Sequence, residues 1–182
     1  MIRKLRIALK RFPAAERGIA AVEFALILPF MALMYLGGFQ VMQEISANRQ
    51  VSLTASTIAE IVSQYPKISA SQDMPGILAA STSTLAPFSA ANAVVTVSVI
   101  NIDATGKIAT ISWSQASQGS GRIAGSTITL PPALYTPNGT VILGETSYNY
   151  SPVIDFLHAG TATLYSSIYM LPRNPGTIPL TT

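Results

Sequence analysis

The sequence contains no cysteine and only one histidine among its 182 residues. Without cysteine the chain has no disulfide and no thiolate metal site, so its folded part is held together by core burial alone. The single histidine, His158, leaves little material for a histidine metal cluster or a Ser/His/Asp triad, and we interpret it as a surface or loop residue. The sequence therefore suggests no metal and no other cofactor.

Charged residues are also scarce, because Asp, Glu, Lys and Arg make up 10% of the sequence where an ordinary soluble domain has about 25%. Six of the 11 basic residues lie in the first 17 positions. The rest of the chain has five basic and seven acidic residues, a net charge of −2. A protein that neutralises several phosphates needs its basic residues on the folded part, so we predict no nucleic-acid partner.

A long uncharged run follows the basic segment, with twenty consecutive uncharged residues from 24 to 43. Twenty helical residues span about 30 Å, the thickness of the hydrocarbon core of a bilayer. We predict a transmembrane helix over 19–43, since the apolar region of a cleavable secretory signal is only about 7 to 15 residues long. Basic residues beside such a helix stay in the cytoplasm, so the bulk of the chain is expected outside the cytoplasm.

The hydrophobic periodicity continues past the predicted membrane segment. Apolar residues recur every three or four positions in the order Ala47, Val51, Ala55, Ile58, Val62 and Tyr65. This spacing is typical of one face of an amphipathic helix, and Pro66 is expected to end that helix. One helix is therefore predicted from about residue 20 to 64, with residues 44–65 as an amphipathic stalk.

Residues 66–182 are predicted to form a small α+β domain with an antiparallel sheet packed on the stalk. The stretch 66–92 is rich in Ser, Ala and Pro, and we interpret it as loop with a short helix near 77–80. Stretches rich in β-branched or aromatic residues predict four strands, at 93–102, 107–113, 140–150 and 161–171. The connection "DATG" favours a hairpin between the first two strands. Between them and the third strand, "GSGRIAGS" is interpreted as a flexible loop.

No group of residues in this outer part points to catalysis. Four acidic residues are widely spaced, and we interpret them as ordinary turn and surface acids: Asp73, Asp103, Glu145 and Asp155. Asp103 opens the predicted hairpin connection, where turn geometry favours Asp. We therefore predict no catalytic residue and no enzymatic activity.

One carboxylate, Glu23, lies where the apolar run begins. In a first interpretation it is an interfacial residue that reaches water and suits the amino terminus of a helix. In a second, the chain is cut after the small residue Gly18, which leaves a new amine at Ile19. That amine would lie about one helical turn from the Glu23 carboxylate, and opposite charges attract strongly near a low-dielectric region.

The stretch "ERGIAAVEFALILPF" at residues 16–30 resembles the processing and assembly motif of the TadE/TadG-like pseudopilins, the minor pilins of tight-adherence (Flp, type IVc) pilus systems. The resemblance extends to about residue 64 and is looser beyond, where it rests on "SYNYSPVIDF" and "SIYMLPR". It implies a pilin-like fold and a basic leader, residues 1–18, that a prepilin peptidase removes between Gly18 and Ile19. It also implies that Glu23 and Phe24 act in assembly.

The same resemblance implies partners and a location. The partners are the prepilin peptidase, other pilin and pseudopilin subunits, an inner-membrane assembly platform and membrane lipid. The location is the bacterial inner membrane, crossed once, with the amino terminus in the cytoplasm and residues 66–182 in the periplasm or carried into a surface pilus. Gln40 departs from the acidic residue expected in relatives at that position.

Several small or helix-breaking residues lie within the predicted membrane segment. Pro29 cannot donate to the carbonyl of Ala25, which would let the helix kink, although membrane helices also tolerate proline without further consequence. Ala21 and Ala25 form one small face, and Gly37 and Gly38 form a second thin stretch. Both features allow close approach of another helix.

Three functional hypotheses of different class remain open. The first is a structural pseudopilin that loses residues 1–18. The second is a permanently anchored extracytoplasmic module that keeps its leader and binds a glycan or a surface. The third is an anchored hydrolase, which would need an acid/base site that the sequence does not visibly supply.

Overall fold

The computed structural model describes residues 16–152, 160–174 and 176–182. The acidic residue Asp155 and the single histidine, His158, lie outside these residues. Two helices are present, α1 at Glu16–Gln64 and α2 at Met74–Ser83. The strands are β1 (Ile68–Ser69), β2 (Ala93–Ile102), β3 (Ala109–Ala116), β4 (Thr127–Ile128), β5 (Thr140–Tyr150), β6 (Ala162–Met170) and β7 (Leu180–Thr181). Short 3-10 helices occur at Ala90–Asn92 and Pro132–Leu134.

Five strands form one antiparallel sheet in the order β4-β3-β2-β5-β6. The predicted α+β class with an antiparallel sheet is therefore confirmed, and the predicted bounds of β2 and β5 are those observed. The predicted hairpin joins β2 to β3. In its turn, the Oδ1 of Asp103 accepts hydrogen bonds from the amides of Lys107 and Ile108 at 2.8 and 3.0 Å. The hydrogen bonds from Ile108, Thr105 and Lys107 lower the pKa of Asp103 to about 2.

The chain divides into two compact units, and the larger consists of Gln43–Val153 and Gly160–Thr182. In this unit the carboxyl-terminal half of α1 packs on one face of the sheet. The predicted stripe is confirmed, because Ala47, Val51, Ala55, Ile58 and Val62 are all buried. Ile58 and Val62 pack with inward-facing side chains of β2 and β5, among them Val95, Val97, Val99 and Ile142. Ala47 and Val51 pack with Ala93, Tyr148 and Tyr150 of the same two strands.

One glycine sets how closely α1 approaches the sheet. A Cβ at Gly144, in the middle of β5, would overlap the carbonyl oxygen of Ala55 and lie 3.1 Å from the Cβ of Ala59. Only a residue without a side chain fits here, because the backbone of α1 occupies the space. Gly144 thus allows the helix to lie directly on the strand.

The opposite face of the sheet carries a second, smaller core at one end. It is formed by Ile100, Ile102, Ala109, Ile111, Leu130, Val141 and Leu143. The chain around the 3-10 helix Pro132–Leu134 contributes to its cover, since Leu134 and Tyr135 pack against it. The turn that follows has Asn138 at a positive φ of 56°, as an Asn-Gly pair favours.

The carboxyl-terminal residues return to the helical face. Trp113 donates a hydrogen bond from Nε1 to the carbonyl of Ile178 at 2.6 Å, and β7 pairs in parallel with β1. The interpretation of residues 66–92 was incomplete, because α2 is longer than the predicted 77–80 and β1 was not predicted. A two-residue strand has too few side chains to produce an alternating pattern.

The carboxyl-terminal end of α1 is hydrogen-bonded to the segment that follows β6. The carbonyl of Ser63 accepts a hydrogen bond from the amide of Arg173 at 3.0 Å, and the carbonyl of Gln64 accepts one from the side chain of Asn174 at 3.2 Å. The guanidinium of Arg173 also pairs with Glu60. These contacts satisfy carbonyls that the end of a helix leaves without partners.

Candidate functional site

The predicted processing and assembly residues lie at the amino-terminal end of α1. The described part of this helix begins at Glu16 and includes the bond between Gly18 and Ile19. Gly18 is exposed and a Cβ there would meet nothing within 4 Å. Glycine lowers helix stability by roughly 1 kcal/mol relative to alanine. The bond therefore follows an exposed residue of low helix propensity.

Ile19 and Glu23 are four residues apart in this helix, so they lie on the same side and one turn from each other. Phe24, the other predicted assembly residue, is 61% exposed. An amine at Ile19 would be placed at the positive end of the helix dipole, close to the Glu23 carboxylate. An ion pair between this amine and Glu23 stays a prediction.

Large apolar side chains are exposed along the amino-terminal half of α1. They include Val22, Leu26, Ile27, Phe30, Met31, Met34 and Tyr35. Within the described part of the chain, α1 is the one helix long and apolar enough to cross a membrane, by length and composition. This helix fits a membrane anchor.

Helix α1 continues through Pro29 as a single element. Gly37 and Gly38 face open space, where a Cβ would meet nothing within 4 Å. Gln40 is buried, and its Oε1 has no hydrogen-bond partner among the residues that the structure describes. The proposed packing roles of these residues, and of the small face formed by Ala21 and Ala25, stay predictions.

An ion pair with a buried carboxylate lies on the sheet face opposite α1. Glu145 of β5 is only 8% exposed and accepts two hydrogen bonds from Arg122, Nε to Oε2 at 2.8 Å and Nη2 to Oε1 at 2.6 Å. Tyr165 of β6 donates a third to Oε1 at 2.5 Å. The interpretation of Glu145 as an ordinary surface acid was wrong, because the side chain is buried and paired. Its partners Arg122 and Tyr165 lie far away in sequence, so no local pattern indicated them.

The surroundings of this pair shift its pKa values in opposite directions. Burial raises the pKa of Glu145, but the hydrogen bonds from Arg122 and Tyr165 and the charge of Arg122 outweigh burial, so the pKa lies below its ordinary 4.5. The hydrogen bond to Glu145 raises the pKa of Arg122. Both groups are therefore charged at neutral pH.

The pair holds the Gly/Ser-rich segment against the sheet. The amide of Arg122 donates to the Oγ of Ser114 at 2.9 Å. A Cβ at Gly121 would lie 2.6 Å from that Oγ and 2.8 Å from the backbone carbon of Ser114. The segment interpreted as a flexible loop is thus anchored at Gly121 and Arg122.

The rest of the described part of the chain has few groups that could act in catalysis or bind a metal. A groove of about 610 Å³ lies between α2 and the end of β3, and none of its lining residues is charged: Ala70, Met74, Pro75, Leu78, Ala79, Thr82, Ala90, Ala91, Gln115, Ser117 and Gln118. Over residues 16–152, 160–174 and 176–182, no three His, Cys, Asp or Glu side chains come close enough to hold a metal ion. The groove has no titratable side chain in its lining, so it offers no acid or base for catalysis.

Sequence comparison supports the resemblance of the helical part. Residues 18–60 match the family model of TadE-like proteins, which confirms the resemblance seen in the sequence. The matched segment begins at Gly18 and includes Ile19, Glu23 and Phe24. Comparison with curated proteins and with solved structures gave no match. The match covers the helical part of the chain and suggests a pilus-related protein.

Proposed function

We propose that this chain is a minor pilin or pseudopilin, a structural subunit in the assembly of a tight-adherence pilus. The observation that carries the proposal is the match of residues 18–60 to TadE-like proteins over a helix whose apolar side chains are exposed. Such a helix needs lipid before assembly and other apolar helices after it. A subunit that moves from the bilayer into a helix-packed filament has both.

In this proposal, residues 1–18 are a leader that a prepilin peptidase removes after insertion. Residues 19–43 cross the inner membrane once, with the amino terminus in the cytoplasm. Residues 44–65 continue as the stalk, and residues 66–182 form the periplasmic domain. The six basic residues among the first 17 support this orientation, because basic residues beside a membrane helix stay in the cytoplasm.

The amino terminus of the protein in membranes tests the processing step. Mass spectrometry of protein from cells with an active prepilin peptidase should find Ile19 as the first residue. Gly18→Leu should leave the leader attached, because a branched side chain replaces the small residue before the cut. Gly38→Leu, at another open glycine of the same helix, should be processed normally. Wild-type protein that starts at Met1 would favour the permanently anchored module instead.

The carboxylate of Glu23 is proposed to pair with the amine of Ile19, from its own or a neighbouring subunit. A half-made pair near lipid is costly, because an uncompensated charge there is far less favourable than a matched one. Glu23→Gln keeps the size of the side chain and removes its charge. We expect this variant to insert and to be processed, but to be lost from assembled pili.

The matched control for this variant is Glu44→Gln, because Glu44 is an exposed carboxylate on the same helix. Co-purification of processed protein with pilus components, together with counts of surface pili, measures assembly in both variants. Normal incorporation of processed Glu23→Gln would show that the carboxylate is only an interfacial residue.

A further inference from the structure

The outer domain has two ends along the direction of its strands, and α1 runs from one to the other beside β5. At one end Ala47 packs with Tyr148 and Tyr150, near the end of β5. At the other end Val62 packs with Ile142, near its beginning. We call the first of these the Ala47 end. Four described stretches of the chain meet there, namely 84–96, 115–121, 146–152 and 160–166.

The two ends differ in charge. None of the four stretches at the Ala47 end contains Asp, Glu, Lys, Arg or His. The opposite end has Asp103 and Lys107 in the turn between β2 and β3, and Arg173 after β6. Charged residues make up about 25% of an ordinary soluble domain, so four neighbouring stretches without any are unusual for a surface in water. Within the described part of this end, charge is found only on α1, at Glu44 and Arg49.

The Ala47 end is also where α1 enters the domain. Gln43 is the last residue of the uncharged run and the first residue of this compact unit. Ala47 is four residues further along the helix, a rise of about 6 Å. The headgroup region of one leaflet is about 5 to 8 Å thick. A hydrocarbon core that ends at residue 43 therefore places its headgroups at the level of the Ala47 end.

A turn at this end, residues 85–89, has side chains that suit a headgroup layer. Ala86 and Pro87 are exposed. Phe88 is partly buried and makes edge-to-face contacts with Tyr148 and Tyr150, with ring centroids 6.2 and 6.5 Å apart. Aromatic side chains are enriched where a membrane meets water. The turn thus combines an aromatic cluster with small exposed apolar residues and no charge.

We propose that the Ala47 end is a second membrane contact, in which the turn 85–89 lies in the headgroup layer of the extracytoplasmic leaflet. The inference rests on the membrane anchor of the proposed function and adds that the outer domain is seated on the bilayer surface. Because the turn and its neighbouring stretches are uncharged, the contact is apolar and insensitive to salt. A subunit that leaves the bilayer for a filament gives this contact up, so it belongs to the unassembled state.

Single cysteines test the contact, since the chain has no cysteine of its own. Ala86→Cys and its matched control, Ala104→Cys, replace exposed alanines at opposite ends of β2, whose ten residues span about 33 Å. Each full-length variant is labelled with bimane and placed in phosphatidylcholine vesicles that carry nitroxides on the headgroups. The label at Ala86→Cys should lose most of its fluorescence, and the label at Ala104→Cys almost none, because nitroxide quenching acts only at short range.

Met34→Cys, an exposed position of the predicted membrane segment, reports on the anchor by itself when the nitroxides are on the acyl chains. Quenching at Met34→Cys, with equally weak quenching at the two alanine positions, would overturn the contact and leave the anchor in place. An unquenched Met34→Cys would overturn the anchor and the contact together. Quenching at Ala86→Cys that disappears in 1 M salt, where the Debye length is about 3 Å, would also overturn the proposal, because the contact would then be electrostatic.

Discussion

The two halves of α1 are built from similar residues and have opposite surroundings. In the amino-terminal half, Phe24 and Met34 are 61% and 78% exposed, whereas Val51 and Ile58 in the carboxyl-terminal half are fully buried. The second half is amphipathic and has a sheet to cover its apolar stripe. The first half is apolar over most of its surface, and no sheet covers it among the described residues.

The difference shows that the two halves have separate requirements for stability. Burying one large apolar side chain contributes roughly 1.5 to 3 kcal/mol relative to leaving it in water. The second half obtains this contribution from its own chain, and the first half obtains it only from lipid or from other helices. Substitutions in the first half should therefore leave the outer domain unchanged, and substitutions in the second half should not.

The largest contrast is expected between two isoleucines of α1. Ile58→Ala removes a fully buried side chain from the core and should lower the free energy of unfolding of the outer domain by about 3 to 4 kcal/mol. Ile27→Ala, where the side chain is 55% exposed, should change it by less than about 0.5 kcal/mol. Denaturant unfolding in detergent, followed by fluorescence, measures both variants.

The only tryptophan, Trp113, is buried in the outer domain, so its fluorescence reports on that domain alone. Equal losses for the two isoleucine variants would contradict the comparison. They would mean that the first half of α1 contributes to the core of the domain.

A second contrast uses glycines. Gly144→Ala places a methyl group against the backbone of α1 at Ala55, and we expect a loss of about 2 kcal/mol from overpacking. Gly38→Ala has open space and should leave the Trp113 transition where it is. A Gly144→Ala protein as stable as wild type would show that α1 moves away from β5 at little cost.

Local sequence patterns predicted much of this fold. The strands β2 and β5 and the stripe on α1 were predicted because alternation and helical spacing are properties of neighbouring residues. The pairing of β1 with β7 was missed, since it joins residues 68 and 180 through two-residue strands. Gly144 carried a usable signal, because an isolated glycine within a strand indicates close approach of another backbone.

The residues of the candidate site also differ in how well the sequence predicts them. Gly18, Ile19, Glu23 and Phe24 lie close together in one motif, so the sequence alone could propose them, and their roles stay predictions. Arg122 and Glu145 are 23 residues apart and meet only because the loop folds back over β3 and β2. No regular sequence spacing indicates that these two residues meet. Without the topology, isolated charged residues in a β domain are interpreted as surface residues.

The smallest contrast concerns charge, which the first half of α1 lacks between residues 24 and 43. Acid should therefore act on the outer domain, through carboxylates such as Glu145 whose pKa the fold lowers. Arg122→Gln removes two hydrogen bonds to the buried Glu145 and should cost about 1 kcal/mol at pH 7, a value kept low because the Arg122 side chain is 43% exposed. Arg173→Gln removes the exposed pair with Glu60 and should cost less than about 0.5 kcal/mol.

The pH dependence distinguishes these two variants further. The pKa of Glu145 is lowered in the folded protein, so the ionised pair stabilises the fold above the ordinary pKa of 4.5 and loses that contribution as the pH falls through the lowered value. In Arg122→Gln, burial would act with less opposition and raise the pKa of Glu145. The acid transition of Trp113 fluorescence should therefore move to higher pH in Arg122→Gln and stay in place in Arg173→Gln. An unmoved transition in both variants would show that Arg122 does not control the ionisation of Glu145.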